Sequence, residues 1–253
     1  MCNFYGHRVT KIEFIKLKQI ERELGTIAAL DELLKIRSGF DYGNAPIVIA
    51  KGKDDIEILS AHWEFIPEWI TKMSQLEEAR KQGIPWLNAR SETLLSSRMF
   101  RDAALDRRCL VIASHFFEWR HYKPEGAKKD IAYPYMIGVN DADYFYMAGI
   151  YNQYENPTTG KVLTSFAIIT TAANELMEQV HNKKKRQPTI LTEDLAHEWI
   201  FGDLTEKRIK EIASYKLPSE NMFAHTIAKD FKTALDPCAP FEYEDLPELD
   251  IAL

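Results

Sequence analysis

Apolar residues recur along this chain with two different periods. Over residues 16–36, Leu17, Ile20, Leu24, Ile27, Leu30 and Leu34 fall three or four apart, the spacing of one face of an amphipathic helix, with Gly25 a mild penalty. Short apolar runs follow. Ile47-Val48-Ile49-Ala50 and Ile56-Glu57-Ile58-Leu59 predict two strands around a turn at Lys51–Asp55. Residues 72–82 and 98–106 predict short polar helices. A strand-rich block comes next: Cys109–Ala113, Phe116–Arg120, Tyr135–Val139, Tyr144–Tyr151 and Leu163–Thr170. Between its last two members, Asn156-Pro157 and Gly160 mark a hairpin loop over Asn152–Lys161. Residues 172–179 and 193–201 predict helices, the second capped by Thr192 with Glu193 and Asp194 in its first turn. The strands follow one another closely, which favours antiparallel pairing. The expected architecture is α+β: one domain over residues 1–235 with a curled, barrel-like, mainly antiparallel β core and peripheral helices, then an acidic tail over residues 236–253.

Composition narrows the function classes. Of the 253 residues, 45% are apolar and 28% charged, which argues against disorder, and no apolar run approaches the roughly 18 residues of a membrane span. The start, Met1-Cys2-Asn3-Phe4-Tyr5, lacks the basic and apolar regions of a signal peptide. Three widely spaced cysteines, Cys2, Cys109 and Cys238, form no disulfide framework and fit a reducing cytoplasm. Neither metal-ligand spacing nor a phosphate-cradling glycine loop is present, so no metal and no cofactor is expected. A net charge of −6 leaves room for a local basic groove, because steering depends on where charges sit.

Cys2 carries the most chemistry. Initiator methionine is removed when the second residue is small, and its loss would leave an α-amine and a thiol on adjacent carbons. Their reference pKa values, about 7.7–8.0 and about 8.5, put both partly in nucleophilic form near neutrality. Two chemistries follow. The amine can act as base for its own thiol, as in N-terminal-nucleophile hydrolases acting on a peptide or small amide. Alternatively the aminothiol acts as a unit: the amine condenses with an aldehyde and the thiol closes a five-membered thiazolidine on the same carbon.

Further along stand Asn88-Ala89-Arg90-Ser91-Glu92-Thr93, Phe116-Phe117-Glu118-Trp119, and Thr170-Thr171-Ala172-Ala173-Asn174 leading to His181. Asn44-Ala45-Pro46 and Trp63…Pro67-Glu68-Trp69 lie between them and the start. In this order, over about residues 1–230, the set resembles the SRAP family (SOS-response-associated peptidase domain). That family has an N-terminal Met-Cys, Asn-Ala-Arg-x-Glu-Thr, Phe/Tyr-Glu-Trp and Thr-Thr-x-Ala-Asn before a histidine. The resemblance implies a β-barrel-like core, a groove for single-stranded DNA, and covalent attachment of Cys2 to the ring-opened aldehyde of an abasic site. It also implies removal of Met1 by the protein itself. Carried over by motif, the catalytic residues are Cys2, Asn88, Glu118 and His181. His181 would act as acid–base and protonate the sugar ring oxygen. Glu118 would shuttle protons at the amine and the carbinol, and Asn88 would hold the amine or the developing hydroxyl.

A groove for an abasic strand needs cations for phosphates and aromatic faces for flanking bases. Arg90 and Arg98 are the phosphate candidates; Trp69 and Trp119 are the stacking candidates. The run Lys183-Lys184-Lys185-Arg186 adds possible attraction after His181. The partner expected is single-stranded DNA containing abasic sites, bound by a monomer. Three departures stand out. Asn3-Phe4 replaces the family's Gly-Arg, removing a phosphate contact; His181 is followed by Asn182, the basic run and then Gln187-Pro188 where the family often reads His-x-Arg-Met-Pro; and the segment from Trp69 to Asn88 is lengthened. A non-enzymatic nucleic-acid module, with Cys2 incidental, and the N-terminal-nucleophile amidase remain the competing readings.

Overall fold

A computed structural model describes residues 3–6, 36–53, 55–83, 85–155 and 160–250. The helix expected over 16–36 falls, up to residue 35, outside the described residues; so do Met1, Cys2 and the tip of the hairpin loop. The strands are β1 (Phe4–Gly6), β2 (Arg37–Ser38), β3 (Asn44–Ala50), β4 (Ile56–Trp63), β5 (Asn88–Arg90), β6 (Arg108–Ala113) and β7 (His115–Tyr122), then β8 (Ile131–Val139), β9 (Phe145–Glu155), β10 (Val162–Ala172), β11 (Arg186–Pro188), β12 (Ile190–Leu191) and β13 (Met222–Thr226). The α-helices are α1 (Met73–Lys81), α2 (Arg101–Asp106), α3 (Glu175–Val180), α4 (Glu193–Phe201) and α5 (Glu206–Ala213).

Strands β4, β3, β6, β9 and β10 pair in that order, and β10 pairs back onto β4, closing a ring. The closing pair β10–β4 is parallel, as is β10–β5; the other pairings are antiparallel. A second sheet runs β13-β8-β7-β1-β2. The period-two alternation of the strands divides the core. Ile47, Ile49, Cys109, Val111, Phe166 and Ile168 join Phe116, Tyr133 and Ile137 of the second sheet in one buried cluster. Their neighbours Val48, Leu110, Ile112, Ala167 and Ile169 lie under α4 and α5, against Trp199, Ile209 and Ile212. Gly149 sits where three strands crowd: a Cβ there would meet Cys109 Sγ at 2.8 Å and the Ala167 carbonyl oxygen at 3.2 Å. The expected barrel-like α+β body, its sheet pairing mainly antiparallel, is what the structure has.

The local signals work as chemistry. Thr192 caps α4 by accepting from the Leu195 N–H. The acidic end of the described chain lies against the body: Asp245 accepts from the Tyr133 hydroxyl at 2.6 Å, the Pro247 carbonyl from Arg120 at 2.5 Å, and Asp250 exchanges two backbone bonds with the Gln179 side chain. Among the described residues no helix is long and apolar enough to cross a membrane.

Candidate functional site

On β7, alternation sends Phe117 and Trp119 to one cluster and Phe116 to the other, so Glu118 shares the face of Phe116. Glu118 is 4% exposed. Burial, which disfavours the charged form, pushes its carboxyl up to about 7. Strand β1 pairs beside it, with Tyr5 opposite Phe116 and Gly6 opposite His115. That register, continued by two residues, brings Asn3 level with Glu118.

His181 arrives from a different part of the chain. Asn174 caps α3 by accepting from the Met177 N–H at 2.9 Å and anchors the turn by donating to the Leu217 carbonyl at 2.8 Å. Seven residues later the helix ends at His181, whose N–H still donates to the Met177 carbonyl. The next side chain, Asn182, clasps β7: it accepts from the His121 N–H at 3.0 Å and donates to the His121 carbonyl at 2.7 Å. This clasp holds the helix end three residues from Glu118 along the strand. His181 Nδ1 lies 2.9 Å from the Arg186 carbonyl. A carbonyl only accepts, so Nδ1 carries the proton and Nε2 presents its lone pair. Nε2 lies 3.7 Å from Glu118 Oε2, beyond hydrogen-bonding reach but close enough to tighten around a ligand. Burial pulls the imidazole down to about 4, so His181 is neutral at pH 7. A neutral imidazole is not itself the acid expected from the sequence. The proton in this pair resides on Glu118, which is near its midpoint.

Asn88 reaches the same place from β5, held parallel to β10 with Asn88 opposite Ile168. Its Nδ2 donates to Asn3 Oδ1 at 3.1 Å, tying it to the residue after Cys2. Its Oδ1 is buried without a hydrogen-bond partner among the described residues, leaving one acceptor for a ligand or an amine. Thus Asn88 is bonded to Asn3, the residue that the register sets level with Glu118, and His181 stands beside Glu118; Cys2 itself lies outside the described residues.

The groove candidates fall differently. Arg90 is exposed at the end of β5, two residues from Asn88 and hence on its face of the strand. Trp69 is 45% exposed in the turn before α1. Arg98 is exposed in the turn before α2, with no described contact to Asn88, Glu118 or His181. Trp119 packs edge-on against Phe4, ring centroids 5.2 Å apart, and beside Phe231, so much of its surface is spent on the fold. The basic run is mostly paired: Lys183 with Asp130 at 3.2 Å, Lys185 with Glu178 at 3.3 Å, and buried Arg186 with Glu92 and the Thr170 carbonyl. Lys184 is exposed and close enough to Glu118 and His181 to act on the charge of both. Among the described residues no three His, Cys, Asp or Glu side chains gather as a metal site would.

Sequence reasoning missed Asn182 and the capping role of Asn174. The second was visible, as an Asn followed by Glu175 and Glu178 in the first turn. The first had no local signal, because its partner is 61 residues away.

With this geometry in place, the likeness to known proteins is informative. The family description "SOS response associated peptidase (SRAP)" matches residues 14–234. A protein named abasic site processing protein YoqW, from Bacillus subtilis, is 34% identical over 166 residues, 66% of this chain and 67% of that protein. The Escherichia coli abasic site processing protein YedK is 26% identical over 233 residues, 90% of this chain and 93% of its own. A crystal structure of a protein from Bacteroides thetaiotaomicron superimposes with a TM-score of 0.77 at 30% identity, covering 94% of this chain and 97% of that one.

Proposed function

This chain belongs to the SOS response associated peptidase (SRAP) family, and from that premise we propose that it processes abasic sites by capturing them, in single-stranded DNA, on Cys2. The observation that carries the reading is the meeting of a buried Glu118 with a raised carboxyl pKa, a neutral His181 and an Asn88 bonded to residue 3. Relatives named abasic site processing proteins support the substrate.

The chemistry proceeds in balanced steps. Removal of Met1 by hydrolysis exposes the Cys2 amine. The abasic deoxyribose opens to its aldehyde as protonated Glu118 supplies a proton to the ring oxygen, directly or through His181, and the C1 hydroxyl gives its proton back to the carboxylate. The neutral amine adds to the carbonyl carbon, and the carbinolamine loses one water to give the imine. The thiol sulfur then adds to the same carbon while its proton passes to the nitrogen, closing the thiazolidine. Asn88 Oδ1 accepts from the amine and holds it in line. His181, with Nδ1 committed to the Arg186 carbonyl, offers Nε2 as relay between Glu118 and the reacting atoms. The same groups serve hydrolysis of the Met1-Cys2 bond, a self-processing peptidase step. The protein works as a monomer in a reducing cytoplasm, where the aminothiol stays reduced.

The test is direct. Full-length protein, its first residue checked by intact mass, is incubated with a single strand bearing one abasic site. A denaturation-resistant band is expected, absent with Cys2→Ala and absent when the α-amine is acylated. Equal crosslinking by Cys2→Ala overturns the reading. Turnover of a small amide without DNA, at catalytic rate, favours the N-terminal-nucleophile amidase instead.

A further inference from the structure

The chain lacks the arginine that the resembling pattern carries two residues after the cysteine; Phe4 stands there. The space above that phenylalanine is not without charge. Lys232, on the short 3-10 turn Phe231–Thr233, places its Nζ 4.1 Å from the centre of the Phe4 ring. The two residues are 228 positions apart in sequence, so the placement is made by the fold. Lys232 is exposed and has no carboxylate within ion-pair distance among the described residues. This contrasts with Lys183 and Lys185, both of which have acidic partners.

An exposed aromatic ring packs on the same phenylalanine. Phe40 is 49% exposed, and its ring centroid lies 6.3 Å from that of Phe4. The backbone beside it is fixed to the N-terminal segment: the Gly39 N–H donates to the Asn3 carbonyl at 2.9 Å. Asn3 is in turn held by Asn88. Behind Phe4 the wall is packed from Trp119, Phe117 and Phe231. Phe4, on which both groups sit, is two residues from Cys2, and two residues of extended chain span at most about 7 Å.

We infer that Lys232 and Phe40, mounted on Phe4, form a subsite for the nucleotide flanking the captured lesion, Lys232 contacting its phosphate and Phe40 stacking on its base. The aromatic ring that replaced the arginine serves as the seat for a cation brought from the far end of the chain, since an ammonium is attracted to a ring face. The inference rests on the abasic-capture reading for the identity of the ligand. It goes beyond that reading by naming where the strand leaves the site, and by moving the missing charge from position 4 to position 232.

Salt dependence separates this role from a structural one, because each phosphate contact on a single strand contributes about 0.7 to the slope of log K against log salt. Non-covalent binding is measured in the Cys2→Ala background, with a fluorescent single strand bearing a stable tetrahydrofuran abasic analogue. Lys232→Met is expected to weaken binding several-fold and to lower the slope by about 0.7, while Lys232→Arg retains it. Phe40→Ala is expected to weaken binding with the slope unchanged, as lost stacking does. Lys229→Met, an equal charge change three residues away, is expected to leave the slope unchanged. An unaltered slope and affinity in Lys232→Met overturns the subsite, and so does an equal effect from Lys229→Met, which would mark a diffuse field. The covalent assay with intact Cys2 keeps the two failures apart: crosslinking by wild type with no effect of Lys232→Met sinks only the subsite, whereas absence of both crosslinking and binding sinks the capture reading and the subsite with it.

Discussion

Among the described residues two glutamates are almost fully buried, and they have different partners. Glu64, 0% exposed just after β4, meets the Arg80 guanidinium from α1 at 2.5 and 2.8 Å. His62 Nε2 stands 3.6 Å away, and Arg80 stacks on the Tyr42 ring at 3.9 Å. Glu118, 4% exposed, has as a described titratable neighbour an imidazole at 3.7 Å that burial keeps neutral. A guanidinium is charged at every accessible pH, so Glu64 has a permanent counter-ion and serves to pin α1 to the barrel. Glu118 has a partner that can itself gain or lose a proton, and its carboxyl sits near 7. Burial alone therefore does not make a carboxyl reactive. The choice of partner decides whether the buried group is a fastener or a proton carrier.

The largest expected effect breaks the reactive side of this comparison. Glu118→Gln keeps the shape and removes the proton, and should slow single-turnover crosslinking by about 10²-fold or more, the usual scale of general acid–base catalysis. Glu64→Gln should leave that rate within a few-fold, measured below its melting temperature.

Next comes the fastener. Arg80→Ala strands a fully buried carboxylate and should cost about 3 kcal/mol, which for a chain of this size is a fall of roughly 6–12 °C in Tm by thermal denaturation.

The third effect has the opposite sign and depends on pH. The Glu118 carboxyl is raised from 4.5 in the unfolded chain to about 7 in the fold. The unfolded state therefore gives up its proton first. Stability from the protonated carboxyl is complete below pH 4.5 and is lost as pH rises through 7. Glu118→Gln should thus be more stable than wild type by about 2–3 kcal/mol at pH 8.5, and no more stable at pH 5, in urea melts at the two pH values. His181 works the other way. Its pKa is lowered from 6.5 to about 4, so its contribution is full above 6.5 and is lost as pH falls towards 4.

The smallest effect concerns positioning. Asn182→Ala removes both bonds of the clasp on His121 and should cost about 1–2 kcal/mol. Because the clasp holds His181 against Glu118, crosslinking at saturating DNA should slow as well, while DNA affinity stays the same.

Much of the molecule could be read from its residues, and the exceptions share a cause. Strands β3, β4 and β6 to β10 were legible because alternation is a local signal; the α4 cap at Thr192 was legible because capping is local chemistry. The closing of the ring was not, since it depends on β10 reaching back in parallel to β4, about 100 residues earlier. Within the site, Asn88, Glu118 and His181 were named from motifs, and the fold brings Glu118 and His181 together and ties Asn88 to the N-terminal segment. The lysine run read as a free charged stretch because its partners, Asp130, Glu178 and Glu92, are invisible from within it. For the same reason, replacement of an arginine by Phe4 reads as a loss until Lys232 is seen above the ring.

The central claim is that Glu118 holds a shared, transferable proton at neutral pH. It is tested most directly by titrating that one carboxyl, taking the infrared or carbon-13 carboxyl signal of wild type minus that of Glu118→Gln from pH 4 to pH 9. A midpoint near 7 is the predicted result. A carboxylate already ionised at pH 5 would contradict it.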